Sequence, residues 1–409
     1  LWRFPYLLGE YGGAAFLTVY LVCALLIALP IFFCEFIIGR HSHANTVDAY
    51  RKLAPRTGWI VQGFLGVFTG WFILSYYSVV AGWTLGYLGS SVAGRVTHIE
   101  DSAAFFSTFT SSLWWAIGCM VTVLLITHLI IVRGVQNGIE RFSKLMMPML
   151  LIIIIGLGIA SLTMPGAKTG LQFLFKPDFS KITSSTVLSA MGQAFFSLSV
   201  GMGVILTYGS YMPKNQNIIR TSTQVVVLDT LVAILSGLVI FPAVFSLGFD
   251  PAEGPQLVFD ILPQVFENMA LGALCSTLFF LLLTLAAITS LVSMMEVSVS
   301  YVSDRANLSR HKSLLTIVSI LVITMSLCAL FPVVFDSFDY LVSTYLMPLG
   351  GLAMTIFVGW FQSRKDIENE LHANSTIHSH WLIDIYFFLI KYIIPVVILL
   401  IFFHGLGIF

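Results

Sequence analysis

"AFFSLSVGMG", residues 194–203, lies within an apolar stretch running from Ser185 to Tyr211, yet it carries Ser197, Ser199, Gly201 and Gly203 at its deepest point. A helix in lipid gains nothing from two serines and two glycines so close together. Paired glycines let helices approach closely, but the serines need another reason. A local break would expose carbonyls to a cation and amides to an anion, and such backbone is tolerated at membrane depth only beside a protein-lined cavity. The stretch therefore raises the expectation of a broken helix beside a binding cavity.

The surroundings place that stretch in a bilayer. Of 409 residues, 57% are hydrophobic and 10% charged, against roughly a quarter charged in soluble domains. Spans of about 20 apolar residues recur near 1–9, 13–38, 60–92, 111–133, 142–163, 185–211, 221–248, 269–303, 312–332, 338–362 and 382–403. This predicts one polytopic, all-α membrane domain with a first partial span and ten whole ones. No signal peptide is recognisable at "LWRFPYLLGEYGGAAF", and without an initiator Met the chain is expected to start inside a longer protein. The piece "GPQLVFDILPQVF" (254–266) is too short to cross and is expected over an extramembrane face. The five cysteines sit in or beside spans, without metal or disulfide spacing. Zero net charge gives no reason to expect a nucleic-acid partner.

Orientation follows from Lys and Arg, which gather in cytoplasmic loops. Alternate loops collect Arg40, Arg51, Lys52, Arg56, Arg133, Arg141, Lys144, Lys214, Arg220, Arg305, Arg310, Lys312, Arg364 and Lys365, fourteen residues against four, Arg95, Lys168, Lys176 and Lys181, in the opposite set. The loop at 249–268 holds Asp250, Glu253, Asp260 and Glu267 without a basic residue, as an outer face would.

Ionisable residues inside spans cost about 2.5–3.5 kcal/mol each and usually face a cavity or a partner. The candidates are Arg3, Glu35, Asp229 and Glu296, with Asp339 near a helix end. Glu35 and Glu296 fit buried clamps between helices. Asp229 has no basic residue in its span 221–248, so a cation or a proton must relieve it. In "LAAITSLVS", Thr289 and Ser290 follow Ala286 by three and four residues, which puts the Ala286 carbonyl on the face of their hydroxyls. Three oxygens facing one point suit a small hard cation, although Ser and Thr also bond back to their own helix.

Together the motifs resemble the neurotransmitter:sodium symporters of the bacterial leucine-transporter type. "WRFPY" with "GEYGGAAF" is similar to the second half of that family's first helix, "YYSVVAGWTLGY" to its third, "GQAFFSLSVGMG" to its broken sixth, "LDTLVAILSGLVIF" to its seventh and "AAITSLVSMMEVSVSYVSD" to its eighth. The resemblance covers essentially the whole chain. It implies the leucine-transporter fold, a five-plus-five inverted repeat with broken first and sixth helices. The first repeat would then occupy 1–163, the second 185–362, and an extra helix 382–403, giving about 11 transmembrane helices in a multi-pass protein of the bacterial inner membrane.

The resemblance also implies a site. Its substrate pocket falls on Ile73, Tyr77, Phe196, Ser199, Met202, Ser290 and Met294, with Tyr77 on the substrate carboxylate and Phe196 as a lid. Its first sodium site falls on Ser197 and Asp229, its second on Ala286, Thr289 and Ser290. Asp229 stands where many relatives have an amide. Chloride-dependent relatives hold the anion near Tyr20, Gln193, Ser197 and a hydroxyl at the position of Ala233; Ala233 supplies no donor, so Asp229 is expected to replace the anion. Arg3 and Asp339 resemble the outer gate, and Tyr211, Glu296 and Asp304 inner-gate positions. Gly138 and Pro148 in "NGIERFSKLMMP" resemble a fifth helix that unwinds to admit water.

The expected function is therefore sodium-coupled, chloride-independent symport of neutral hydrophobic L-amino acids by alternating access, with Na+ as coupling ion. A sodium-independent exchanger of the same fold is the alternative. An ion channel would show a repeated pore segment or charged rings, which the sequence lacks. An intramembrane metalloenzyme is disfavoured, since "RHSHAN" and "STIHSHW" read as solvated loops and no intramembrane His pairs with a carboxylate at metal spacing.

Overall fold

The computed structural model describes residues 2–96, 102–252, 257–269, 271–373 and 380–405. Glu253, the start of the 254–266 piece and His378 of "STIHSHW" lie outside the described residues. Among the helices that the described residues form are, in order, α1 (Arg3–Glu10), α2 (Ala14–Ser42), α3 (Thr46–Leu53), α4 (Ile60–Val92), α5 (Trp114–Ile131), α6 (Val135–Leu162), α7 (Ser184–Ser197), α8 (Val204–Tyr211), α9 (Ile218–Ser246), α10 (Gly272–Ala306), α11 (Arg310–Leu330), α12 (Pro332–Phe361), α13 (Arg364–His372) and α14 (Trp381–His404), with shorter helices at Ser102–Ser111 and Ala167–Phe175. Nine of these are long and apolar enough to cross a membrane. With α1 and the broken pair α7–α8 they account for the expected segments, and α3 and α13 are short connecting helices.

The two longest helices, α4 and α10, pack on each other, with α5 and α11 against α4. On the other side α8 lies along the second half of α2, and α7 along its first half. α6 touches both α9 and α10, and α12 reaches α2, α4, α7 and α14. The cavity sits between these two groups.

In the described part of the 254–266 piece, Leu257, Val258, Phe259, Ile261, Leu262, Val265 and Phe266 are buried, while the polar Asp260 and Gln264 on the other face stay partly exposed. Phe259 packs on Trp83, Tyr87, Phe106 and Phe280, which seats that apolar face. One expectation changes. The helix carrying Asp229 starts at Ile218, not 221, because the Asn217 side chain accepts from the Arg220 amide and caps it. Arg220 therefore does share the helix of Asp229. It sits nine residues away, about 13 Å at 1.5 Å per residue, and no ion pair joins the two.

Candidate functional site

The site is built on the interruption between α7 and α8. Ser199, Gly201 and Gly203 hold φ of +56°, +83° and +76°, and a non-glycine in that region costs about 1–2 kcal/mol. The glycines also make room: a Cβ on Gly201 would lie 2.5 Å from the Met347 carbonyl oxygen, and one on Gly350 would lie 2.4 Å from that of Gly201. Broken backbone needs new partners. Glu35 on α2, fully buried, accepts from the amides of Gly201 (2.6 Å) and Leu206 (3.2 Å). The Thr46 hydroxyl of α3 donates to the Gly203 carbonyl at 3.2 Å. Glu35 is thus an interhelical clamp whose object is the break itself.

Beside the break lies a cavity of about 460 Å³. Its walls include Ile73 and Tyr77 of α4, Phe196, Ser199 and Met202 of the broken segment, and Ser290 and Met294 of α10. Ser197, Asp229, Ala286 and Thr289 border it too. The rings of Tyr77 and Phe196 meet edge-on at 6.4 Å, and the Arg3 guanidinium lies 4.9 Å from the centre of the Phe196 ring. Arg3 and Phe196 thus border the cavity together.

Two oxygen clusters face this space. On one side Asp229 Oδ2 accepts from the Ser197 hydroxyl (2.7 Å) and the Tyr20 hydroxyl (3.3 Å). Its Oδ1 accepts no hydrogen bond among the described residues, so the carboxylate keeps lone pairs for a cation. Tyr20 and Ser197, two of the expected anion donors, thus already serve a carboxylate. Across the cavity, Thr289 (2.8 Å) and Ser290 (3.2 Å) donate back to the Ala286 carbonyl. Donating the proton leaves each hydroxyl oxygen its two lone pairs, so the back-bonding and a cation are compatible.

This arrangement has counterparts. The sequence model of the sodium:neurotransmitter symporter family matches residues 1–108 and 96–408. The chain belongs to that family. It is a sodium-dependent transporter rather than an enzyme, and a multi-pass protein of the cell membrane. An uncharacterized sodium-dependent transporter of Bacillus subtilis is 36% identical, over 100% of this chain and 93% of its own. One of Haemophilus influenzae is 33% identical, over 99% of this chain and 93% of its own. The crystal structure of MhsT in complex with L-phenylalanine superposes with a TM-score of 0.93 at 39% identity, covering 99% of this chain and 94% of that one. The leucine-transporter fold follows from that match.

In this transporter two ionic joints flank the cavity. Toward the acidic 249–268 loop, Arg3 Nη2 lies 3.2 Å from Asp339 Oδ2. On the Arg-rich side, Glu296 accepts from Tyr211 (2.7 Å) and from both terminal nitrogens of Arg310 (3.0 and 2.5 Å). Tyr211 and Glu296 thus come together as expected, but Asp304 does not join them. Two turns further along α10, it accepts from the Asn45 side chain at 2.9 Å. Sequence reading missed Arg310 and Asn45. Arg310 entered only as a loop charge, although a basic residue at the start of the next helix was its one available signal.

The Gly138–Pro148 stretch is wound. A π-helical turn covers Val135–Glu140 and an α-helix continues from Arg141 through Pro148 to Leu162. Pro148 has no amide hydrogen, so the Lys144 carbonyl lacks its intrahelical donor.

Proposed function

We propose that the transporter is a symporter coupling inward sodium movement to uptake of neutral hydrophobic L-amino acids, leucine to aromatic in size, without chloride. One observation carries this reading. The cavity beside the break has apolar walls of Ile73, Phe196, Met202 and Met294, and Asp229 is the one carboxylate among the described residues lining it. Such a space accepts an apolar side chain, and unbranched Met adapts to varied ones. The L-phenylalanine held by MhsT supports the same substrate class.

In this proposal Tyr77 bonds the substrate carboxylate, Phe196 covers it, and Ser199, Ser290 and Met294 complete the pocket. One sodium is held by Ser197 and Asp229, a second by Ala286, Thr289 and Ser290. A buried carboxylate without a countercharge is unfavourable, so a cation beside Asp229 stabilises the loaded site. Arg3 and Asp339 close the outer side. Tyr211 and Glu296 close the inner side with Arg310, while Asp304 acts there through Asn45. Unwinding between Gly138 and Pro148 opens the inner water route. The inverted repeats would be 1–163 and 185–362, with 382–403 as an added helix.

The test is uptake into proteoliposomes of leucine, phenylalanine and tryptophan under an inward sodium gradient, with chloride or gluconate as anion. Expected are sodium-driven accumulation of all three and equal rates in the two anions. Failure to accumulate any neutral amino acid overturns the substrate class. Uptake indifferent to sodium overturns the coupling. A chloride requirement overturns the assignment of Asp229 in place of the anion.

A further inference from the structure

Lys391 lies inside the span Trp381–His404, and neither the transport site nor its closures use it. Among the described residues no ion pair joins it to a carboxylate, and residues 374–379 contain no Asp or Glu. Its ammonium instead rests 5.7 Å from the centre of the Trp360 ring and 5.8 Å from that of Phe387. The placement is built. Pro395 has no amide hydrogen, which removes the α-helical donor of the Lys391 carbonyl, and the Trp360 indole donates there at 3.3 Å. Gly359 leaves room for the stem, since a Cβ there would lie 3.1 Å from Lys391 Cγ.

The level of this lysine in the membrane is marked by its neighbours. Arg364, just past the end of α12, stacks on the other contact of Phe387 at 5.0 Å but is already matched by Glu368 and Asp384. Trp360 and Tyr392, whose rings meet at 5.7 Å, are both at least half exposed, as aromatic rings at the headgroup level are. A lysine there extends its stem along apolar surface and brings its charge to the interface. Two aromatic faces orient that charge, and its counter-anion is still to be supplied.

We propose that Lys391, framed by the rings of Trp360 and Phe387 in the groove between α12 and α14, binds the phosphate of an anionic phospholipid at the Arg-rich face. The assignment rests on the membrane reading of the chain and on no part of the substrate reading, so transport assays and lipid assays fail separately.

The test uses the full chain in vesicles of phosphatidylcholine alone or three parts phosphatidylcholine to one part phosphatidylglycerol. Lipid retained on extraction is read by native mass spectrometry, and thermal unfolding is followed in parallel. Wild type should retain phosphatidylglycerol over phosphatidylcholine and unfold at higher temperature in the mixed vesicles. Lys391→Gln should weaken that retention about fivefold, the effect of one lysine near an anionic surface. Lys391→Arg should keep it, and Lys365→Gln, which removes an exposed lysine of the same face, should leave it nearly unchanged. A wild type that prefers neither lipid overturns the proposal without any variant. So does equal loss in Lys365→Gln, which means diffuse attraction, or equal competition by free inorganic phosphate, which means an ion site.

Discussion

The two joints that flank the cavity are built differently. Outside, Arg3 and Asp339 share one contact of 3.2 Å, Asp339 is 26% exposed, and Arg3 Nη1 and Asp339 Oδ1 are buried without partners. Inside, Glu296 is fully buried and accepts three hydrogen bonds, and Arg310 also reaches the Ile131 carbonyl at 3.3 Å. Separating the outer pair breaks one ionic contact, and each joint has one buried and one partly exposed partner. Separating the inner pair costs a fully buried carboxylate three hydrogen bonds. In the proposed transport cycle the outer joint, with fewer bonds to break, is the one that releases more readily, and the proline-bearing α6 is the proposed second element on the inner side.

The largest expected effect tests that asymmetry. Glu296→Ala should lower stability by about 3 kcal/mol, the scale of breaking a buried ion pair, read as a fall in the unfolding midpoint; a change no larger than that of Asp339→Ala would remove the asymmetry. Next comes the cavity between the joints. Met202→Phe should reduce tryptophan uptake about tenfold relative to leucine, since steric discrimination in an apolar pocket is worth about 1–3 kcal/mol. Equal losses for both substrates would detach Met202 from the pocket. Asp339→Ala should lower stability less than Glu296→Ala, because one ionic contact is lost rather than three hydrogen bonds, while speeding release of bound substrate in a washout assay. The smallest effect is expected from Pro148→Ala, which restores the donor for the Lys144 carbonyl. Turnover should fall a few-fold with substrate binding unchanged, and unchanged turnover would leave Pro148 as a packing feature.

Much of the fold was legible because lipid imposes it. Span lengths, the basic loops and the polar break at 197–203 are local signals, and each is required whatever the neighbours are. The cavity residues were also legible, because the motifs that carry them are contiguous, as in "GQAFFSLSVGMG". Partnerships were not. The reading of Asp229 as lacking any basic residue in its helix failed at a helix end, where one Asn cap moved the boundary past Arg220. The inner-gate set was split for a similar reason: Asp304 and Glu296 share a helix but lie eight residues apart, and each found its partner on a different element.

By itself the sequence determined that this chain is a bundle of membrane helices with one break, and that a carboxylate and hydroxyls sit at membrane depth. Only the tertiary structure decided what those groups meet: Glu35 the amides of the break, Asp229 the hydroxyls of Ser197 and Tyr20, Arg310 the buried Glu296, and Lys391 two aromatic faces. The physical reason is range. Hydropathy and backbone hydrogen bonding act within a segment and are written in its composition, whereas ionic and hydrogen-bond partners are chosen by distance in space, across separations as long as the 336 residues between Arg3 and Asp339.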